Sequence, residues 1–126
     1  MRSALLVLPL LLACSSGPRT ESATPRGSRD LITRAQIERN VAADAWDLVQ
    51  RLRPEYLRPQ RGASSLSAPP LSAVVYLDGV KRGTPELLRS LRTSDIEEIR
   101  FISGTDATTR WGTDHGGGVI EVKTRR

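Results

Sequence analysis

The sequence has very little of the chemistry that usually marks an active site. Its 126 residues include one Cys and one His, and aromatic residues make up only 4%. A single Cys cannot form an internal disulfide, and a Cys-rich metal centre is excluded. A zinc site would need three or four ligands from Cys, His and carboxylates. We therefore expect no metal and no cofactor in this protein.

Long apolar runs are equally scarce. The only one, from Ala4 to Ala13, is too short for a membrane-spanning helix, which needs ~20 residues. This run follows the positive Met1-Arg2 start and ends on a small residue, which is the anatomy of a secretory signal peptide. We therefore predict that residues 1–13 are a signal peptide and are removed.

The residues around the predicted cleavage point carry a family resemblance. The segment Leu11-Leu12-Ala13-Cys14 resembles the lipobox of bacterial lipoproteins, in which the Cys is acylated and becomes the first mature residue. The resemblance implies a membrane anchor of acyl chains at Cys14. Because Ser15 rather than an Asp follows, it also implies the outer membrane, with the protein facing the periplasm. The alternative is a free thiol at Cys14 behind an ordinary signal peptide.

The charge balance is modestly basic, with 19 Lys and Arg against 14 Asp and Glu. A basic excess can favour nucleic acid, but an exported, membrane-tethered protein does not usually meet it. We therefore expect no nucleic-acid partner. The excess is either a solvated surface or a means of attraction to the phosphates of anionic lipids.

Residues 14–29 differ in composition from the rest of the chain. From Ser15 to Arg29 there is no large apolar residue, and such a stretch cannot bury enough surface to offset its ordering entropy. We predict a flexible tether over 14–29 and one folded domain over 30–126. A domain of about 100 residues can bury roughly two-thirds of its surface without disulfides.

Three segments of the domain carry helix signals. Thr33 and Gln36 form a capping-box pattern at the start of the first. An apolar face at helical spacing defines the second, which Pro54 ends. Thr84 and Pro85 have the pattern of an N-cap and first helical residue for the third. The predicted helices cover 34–39, about 43–53, and 86–91.

Apolar segments bounded by turn residues predict the strands. The segment from Ala73 to Leu77 is apolar on both faces, which is typical of a central strand. Asp78-Gly79 then gives a strong two-residue hairpin signal. In the last strand, alternation predicts one wet face. The predicted strands cover 73–77, 80–82, 98–102 and 119–123, with a loop over 58–71. The fold class is therefore α+β, a small mixed β-sheet with short flanking helices.

Four motifs in the second half of the chain resemble, in order, those of the plug domains of TonB-dependent receptors. They are Val74 to Val80 around Asp-Gly, Asp95 to Gly104, Ala107 with Trp111-Gly112, and Gly117 to Arg125. The resemblance covers most of 30–126. It implies a plug-like fold and an association with an outer-membrane barrel or transport protein. A receptor barrel needs more than ~200 further residues at ~10 per strand, so we expect no transport activity of its own.

The motif residues are turn and packing devices rather than reactive groups. The Asp-Gly pair sets the register of the hairpin, single glycines allow tight reversals, and the glycine run lets the backbone pack closely before the last strand. The residues assigned to these turns are Asp78, Gly79, Gly104, Gly112, Gly117 and Gly118.

The loop before the last strand offers a second hypothesis about function. His115 beside Asp114 could act as a general base, with Asp106 near in sequence, so the alternative is a periplasmic enzyme or small-ligand binder. No nucleophile elbow or His-x-x-x-His motif accompanies them, and we predict a polar loop residue at His115. We predict Trp111 in the core, while Trp46 is either an interface anchor or core.

A non-catalytic protein-binding module is the preferred interpretation. It rests on the ordered motifs and the lipobox resemblance. A third interpretation, a structural envelope lipoprotein, would associate broadly with peptidoglycan or membrane and have no defined partner.

Overall fold

The structure, a computed structural model, describes residues 29–61 and 69–126. The predicted signal peptide, Cys14 and all but the end of the predicted tether lie outside the described residues, as does the middle of the predicted loop. Within the two described ranges, no helix is long and apolar enough to cross a membrane.

The described residues contain one five-stranded sheet. Its strands are β1 (Leu31–Ile32), β2 (Val74–Leu77), β3 (Val80–Gly83), β4 (Ile96–Ile102) and β5 (Val119–Thr124). They lie in the order β1-β4-β5-β2-β3. β2 and β5 run parallel and the other neighbouring pairs antiparallel. The predicted α+β class with a small mixed sheet is therefore confirmed.

Short helices connect the strands. The α-helices are α1 (Arg34–Arg39), α2 (Ala45–Leu52) and α3 (Gly104–Trp111), and 3₁₀ turns cover Pro54–Leu57, Pro85–Ser90, Thr93–Asp95 and Thr113–His115. The helix predicted over 86–91 forms behind Thr84 and Pro85 as a 3₁₀ helix, with bonds such as Leu87 N–H to the Thr84 carbonyl, at 3.2 Å.

Side-chain caps fix where the first two helices begin. At α1, the Gln36 side chain accepts a hydrogen bond from the Thr33 N–H at 3.1 Å, as the capping-box pattern predicts. At α2, the Asp44 carboxylate accepts from the Asp47 N–H at 2.8 Å. Asp44 is thus the N-cap, and α2 starts two residues later than predicted.

The hairpin between β2 and β3 forms at the predicted turn. Asp78 and Gly79 both have positive φ, +48° and +82°, as this turn requires. Leu77 pairs with Val80 across it. β2 lies between β5 and β3, so the central position predicted from its apolar character is confirmed.

The main core lies on one face of the sheet. Val75, Ile99 and Ile120 point from three neighbouring strands toward Leu48 of α2 and Leu88 of the 3₁₀ turn, and all five are completely buried. Burying an aliphatic side chain of this size contributes roughly 1.5–3 kcal/mol. This face therefore accounts for most of the burial that holds the domain together.

A smaller cluster lies on the other face. Since successive side chains of a strand alternate, Tyr76 and Val119 point away from the main core and pack with Ala107 of α3. The wet face of β5 was predicted at Glu121 and Lys123. Lys123 is exposed and Glu121 is half-buried, while Val119, earlier on the same face, is completely buried.

The glycine run approaches other backbone closely. A Cβ on Gly117 would overlap the carbonyl oxygen of Ser72, and a Cβ on Gly104 would overlap that of Gly116. Gly112 and Gly118 have positive φ, as turns require. Gly104 does not, and it is the first residue of α3 rather than a chain reversal. Its role is close packing instead.

Candidate functional site

Three rings form a connected cluster beneath the end of α3. Tyr76 of β2 lies 5.1 Å from Trp111 between ring centroids, and His115 lies 5.9 Å from each of them. We call Tyr76, Trp111 and His115 the aromatic cluster. The three residues come from β2, α3 and the following 3₁₀ turn, so only the tertiary fold brings them together.

His115 lies inside the fold rather than on its surface. Its side chain is 4% exposed, and it is the one buried polar or charged residue of the described core. Nδ1 lies 3.3 Å from the Gly112 carbonyl oxygen, which can only accept, so this nitrogen carries the hydrogen. Nε2 then accepts from the Tyr76 hydroxyl at 3.0 Å. His115 is in a turn, as predicted for a polar loop residue, but it is buried and both ring nitrogens have partners within the fold.

The two acids of the alternative site do not join His115. Asp106 caps α3 together with Ser103, whose hydroxyl donates to Asp106 Oδ2 at 2.9 Å. Asp114 is exposed. Within the described ranges, no hydrogen bond or ion pair connects Asp106, Asp114 and His115. The His-Asp pair is therefore adjacent in sequence only.

Trp111 is the part of the aromatic cluster that reaches the surface. Its side chain is 37% exposed, so the prediction of a core residue is wrong. One face of the indole lies over Tyr76, while the Arg110 guanidinium lies 5.9 Å from the ring centroid. Gly112, with a φ of +99°, turns the chain directly after it. The indole is thus held against buried rings and open on its other side.

Trp46 lies on the opposite face of the sheet, among the residues packed against the main core. It is half-buried, and the Arg89 guanidinium lies 4.3 Å from its ring centroid. The arginine covers this ring as a cation–π pair. Of the two predictions for Trp46, core packing describes its position, whereas Trp111 is the tryptophan with an open face.

A second feature is an open cavity at the carboxyl ends of the parallel strands β2 and β5. It measures about 470 Å³ and is lined by Asp78, Glu97, Lys123, Thr124, Arg125 and Arg126. We call it the carboxyl-end cavity. It lies at the opposite end of β5 from the glycine run, and no residue of the aromatic cluster lines it. None of Asp106, Asp114 and His115 lines it.

Asp78 ties the hairpin to the end of β5. Its Oδ1 accepts from the Thr124 N–H at 2.9 Å and its Oδ2 accepts from the Thr124 hydroxyl at 2.6 Å. These two hydrogen bonds, with Arg126 and Arg82 nearby, hold the pKa of Asp78 below its usual value. The turn position was predicted from the Asp-Gly pair. The bond to Thr124 was not, because it joins residues 46 positions apart.

The described residues show no metal centre. No group of three or more His, Cys, Asp or Glu within 29–61 and 69–126 is placed so that it could hold a metal ion.

Comparison with known proteins gives no relative for this chain. No family model, curated protein or solved structure matches it.

Proposed function

We propose that this chain is a lipoprotein of the outer membrane whose plug-like domain faces the periplasm and binds a protein partner without catalysing a reaction. The partner is an outer-membrane barrel or transport protein, as the plug resemblance implies. Acyl chains at Cys14 hold the domain near that partner, because each buried methylene contributes ~0.8 kcal/mol to membrane binding.

The observation that carries this proposal is the half-exposed indole of Trp111 on a base of buried rings. Tryptophan, tyrosine and arginine are the residues enriched at the energetic centres of protein interfaces. An indole that is already fixed loses little side-chain entropy on binding. Trp111, beside Arg110, therefore has the properties of an interface anchor.

The backbone around Trp111 supports the same role. Ser103 caps the start of α3 by accepting from the Asp106 N–H at 3.3 Å, and the Gly112 N–H ends the helix on the Thr108 carbonyl at 2.9 Å. Both ends of this eight-residue helix are thus fixed. A catalytic use of the nearby His115 has no comparable support, since its nitrogens bond to Tyr76 and Gly112.

The membrane half of the proposal is tested by metabolic labelling with a fatty-acid analogue in a bacterial host. We expect label on the wild-type chain and on a Ser15→Ala control, and none on Cys14→Ser. We also expect the wild-type chain to fractionate with the outer membrane. An unlabelled wild-type chain would contradict the anchor.

The binding half is tested by photocrosslinking in intact cells. A photoreactive amino acid at exposed Thr113, next to the aromatic cluster, should give a discrete adduct with one envelope protein. The matched control is the same group at Val41, which is 92% exposed beside α2. Trp111→Ala should weaken the Thr113 adduct by about tenfold, the scale of an interface anchor. An equal adduct from Val41, or one unaffected by Trp111→Ala, would contradict the proposal.

A further inference from the structure

The carboxyl-end cavity contains cationic groups that have no acceptor among the described residues. The Lys123 ammonium pairs with Glu98 at 2.6 Å, so its charge is already engaged. The guanidinium groups of Arg125 and Arg126 form no hydrogen bond or ion pair within 4.0 Å among the described residues. Each guanidinium carries five N–H donors. Within the described residues, the two arginines at this cavity therefore have N–H donors that bond to no protein acceptor.

The acceptors in the same cavity are mostly spent. Both oxygens of Asp78 accept from Thr124, and the Thr124 hydroxyl is used in donating to Asp78. Glu97 is the one lining acid whose carboxylate accepts no hydrogen bond within the described ranges. The lining therefore carries three cationic side chains against two carboxylates, and within the described residues only the two guanidinium groups and Glu97 have no hydrogen-bond or ion-pair partner. A ligand that fits this balance brings several anionic oxygens and few donors.

The backbone beside the arginines is fixed. The Arg125 N–H donates to the Asp95 carbonyl at 2.9 Å, which ties it to the chain just before β4. Thr124 pairs with Ile96 in the sheet and is also bound by Asp78. The Arg125 side chain therefore leaves from an anchored segment, and Arg126 follows directly after it.

We propose that the carboxyl-end cavity binds a phosphate ester, with the guanidinium groups of Arg125 and Arg126 holding the phosphate. A phosphate offers several anionic oxygens, and guanidinium groups bind it through paired, charge-assisted hydrogen bonds. The cavity of about 470 Å³ exceeds a bare phosphate and lies within the ~300–1,000 Å³ of ligand pockets. The open cavity can therefore accept a phosphate that is carried on a larger body, either a soluble molecule or a lipid headgroup.

This inference does not depend on the proposed function. No residue of the aromatic cluster lines the cavity, and the ligand is recognised by charge rather than by an indole. A lipid headgroup would turn the domain so that this end faces the bilayer. A soluble ester would leave the orientation free.

The experiment uses the full-length chain in a maltoside detergent, which contains no phosphate. Backbone amide chemical shifts of residues 123–126 are recorded while glycerol 1-phosphate is added, with glycerol as the uncharged control. A parallel titration adds micelles that contain phosphatidylglycerol. Saturable shifts with glycerol 1-phosphate identify a soluble ester as the source. Shifts only with phosphatidylglycerol identify the lipid headgroup.

Variants then assign the site. Arg125→Gln with Arg126→Gln should weaken binding by about tenfold or more, as expected when charge-assisted hydrogen bonds are lost. Arg39→Gln with Arg58→Gln removes the same charge from two exposed arginines that do not line the cavity, and should change binding little. Glu97→Gln should strengthen binding, because it removes the free carboxylate. Circular dichroism melts check that every variant folds.

Three results would overturn the inference. One is the absence of saturable shifts at residues 123–126 with either probe. Another is equal weakening by the two arginine pairs, which would indicate a general charge effect. The third is weaker binding after Glu97→Gln in a variant that melts like the wild type.

Discussion

Asp78 serves the fold in two ways. Its φ of +48° makes it part of the β2–β3 turn, and its carboxylate accepts both hydrogen bonds that Thr124 donates. Single side chains also hold the aromatic cluster together. His115 accepts from Tyr76, and Trp111 covers Tyr76 at the surface.

Two substitutions of Asp78 distinguish the effect of its charge from the effect of its hydrogen bonds. Asp78→Asn keeps a residue that tolerates positive φ and an amide that can bond to both Thr124 groups. Asp78→Ala loses the bonds and strains the turn. We expect a lower melting temperature for Asp78→Ala than for Asp78→Asn at pH 7. Equal melting of the two variants would show that the bonds to Thr124 do not stabilise the hairpin.

The charge of Asp78 gives a pH dependence of known sign. Its folded-state pKa lies below the ordinary 3.8, so the charged form is favoured in the folded protein. The stabilisation it contributes is present above that unfolded value and is lost as the pH falls below it. Thermal melts between pH 2 and pH 6 should therefore show a smaller acid-induced loss for Asp78→Asn than for the wild type. Parallel pH curves for the two proteins would contradict this assignment.

At the scale of elements, the glycine run joins β5 to the rest of the sheet. Gly117 lies against the backbone of Ser72, just before β2, and Gly104 lies against Gly116. These contacts allow β2 and β5 to lie side by side as a parallel pair. α3 then covers Val119 and holds the aromatic cluster in place.

Gly117→Ala tests this close approach. The added Cβ would overlap backbone, which cannot move without shifting a strand, so we expect a loss of about 1–3 kcal/mol in the free energy of unfolding. Gly116→Ala is the matched control. Its Cβ meets mainly Leu71 Cδ1, at 2.8 Å, on a side chain that is 41% exposed and can rotate away. Urea unfolding measures both, and similar losses would indicate that neither position is specially constrained.

At the scale of the whole molecule, Tyr56 connects the start of the domain to its core. The ring is 1% exposed and stacks on Phe101 of β4 with 4.8 Å between centroids. Its hydroxyl donates to the carbonyl of Arg29, where the described part of the chain begins, at 2.5 Å. Burial raises the pKa of Tyr56 to about 12.

The raised pKa of Tyr56 predicts a loss of stability at alkaline pH. The folded state keeps its proton up to about 12, while the unfolded chain loses it near 10. The contribution of Tyr56 is therefore complete below pH 10 and is lost as the pH rises toward 12. Thermal melts from pH 8 to pH 12 should show a steeper loss for the wild type than for Tyr56→Phe. The same slope in both proteins would contradict the assignment.

The elements of this domain could largely be predicted from its sequence. The capping box at Thr33, the apolar face of α2 and the Asp-Gly turn are local signals, and each element formed close to its predicted position. Such features depend on residues within one or two turns of each other. The helix predicted over 86–91 also forms, and its 3₁₀ geometry is a feature that the sequence pattern did not specify.

The aromatic cluster and the carboxyl-end cavity depend on contacts between residues that are far apart in the sequence. His115, Tyr76 and Trp111 meet only because α3 crosses the face of β2 and β5, which buries a predicted loop residue and exposes a predicted core residue. Asp78 reaches Thr124, and Arg125 and Arg126 reach a cavity, only because β2 and β5 pair in parallel. The helices, strands and turns follow from local sequence signals, since their causes lie within a few residues. The side chains that meet at one place follow only from the fold, since strand pairing joins residues far apart in the chain.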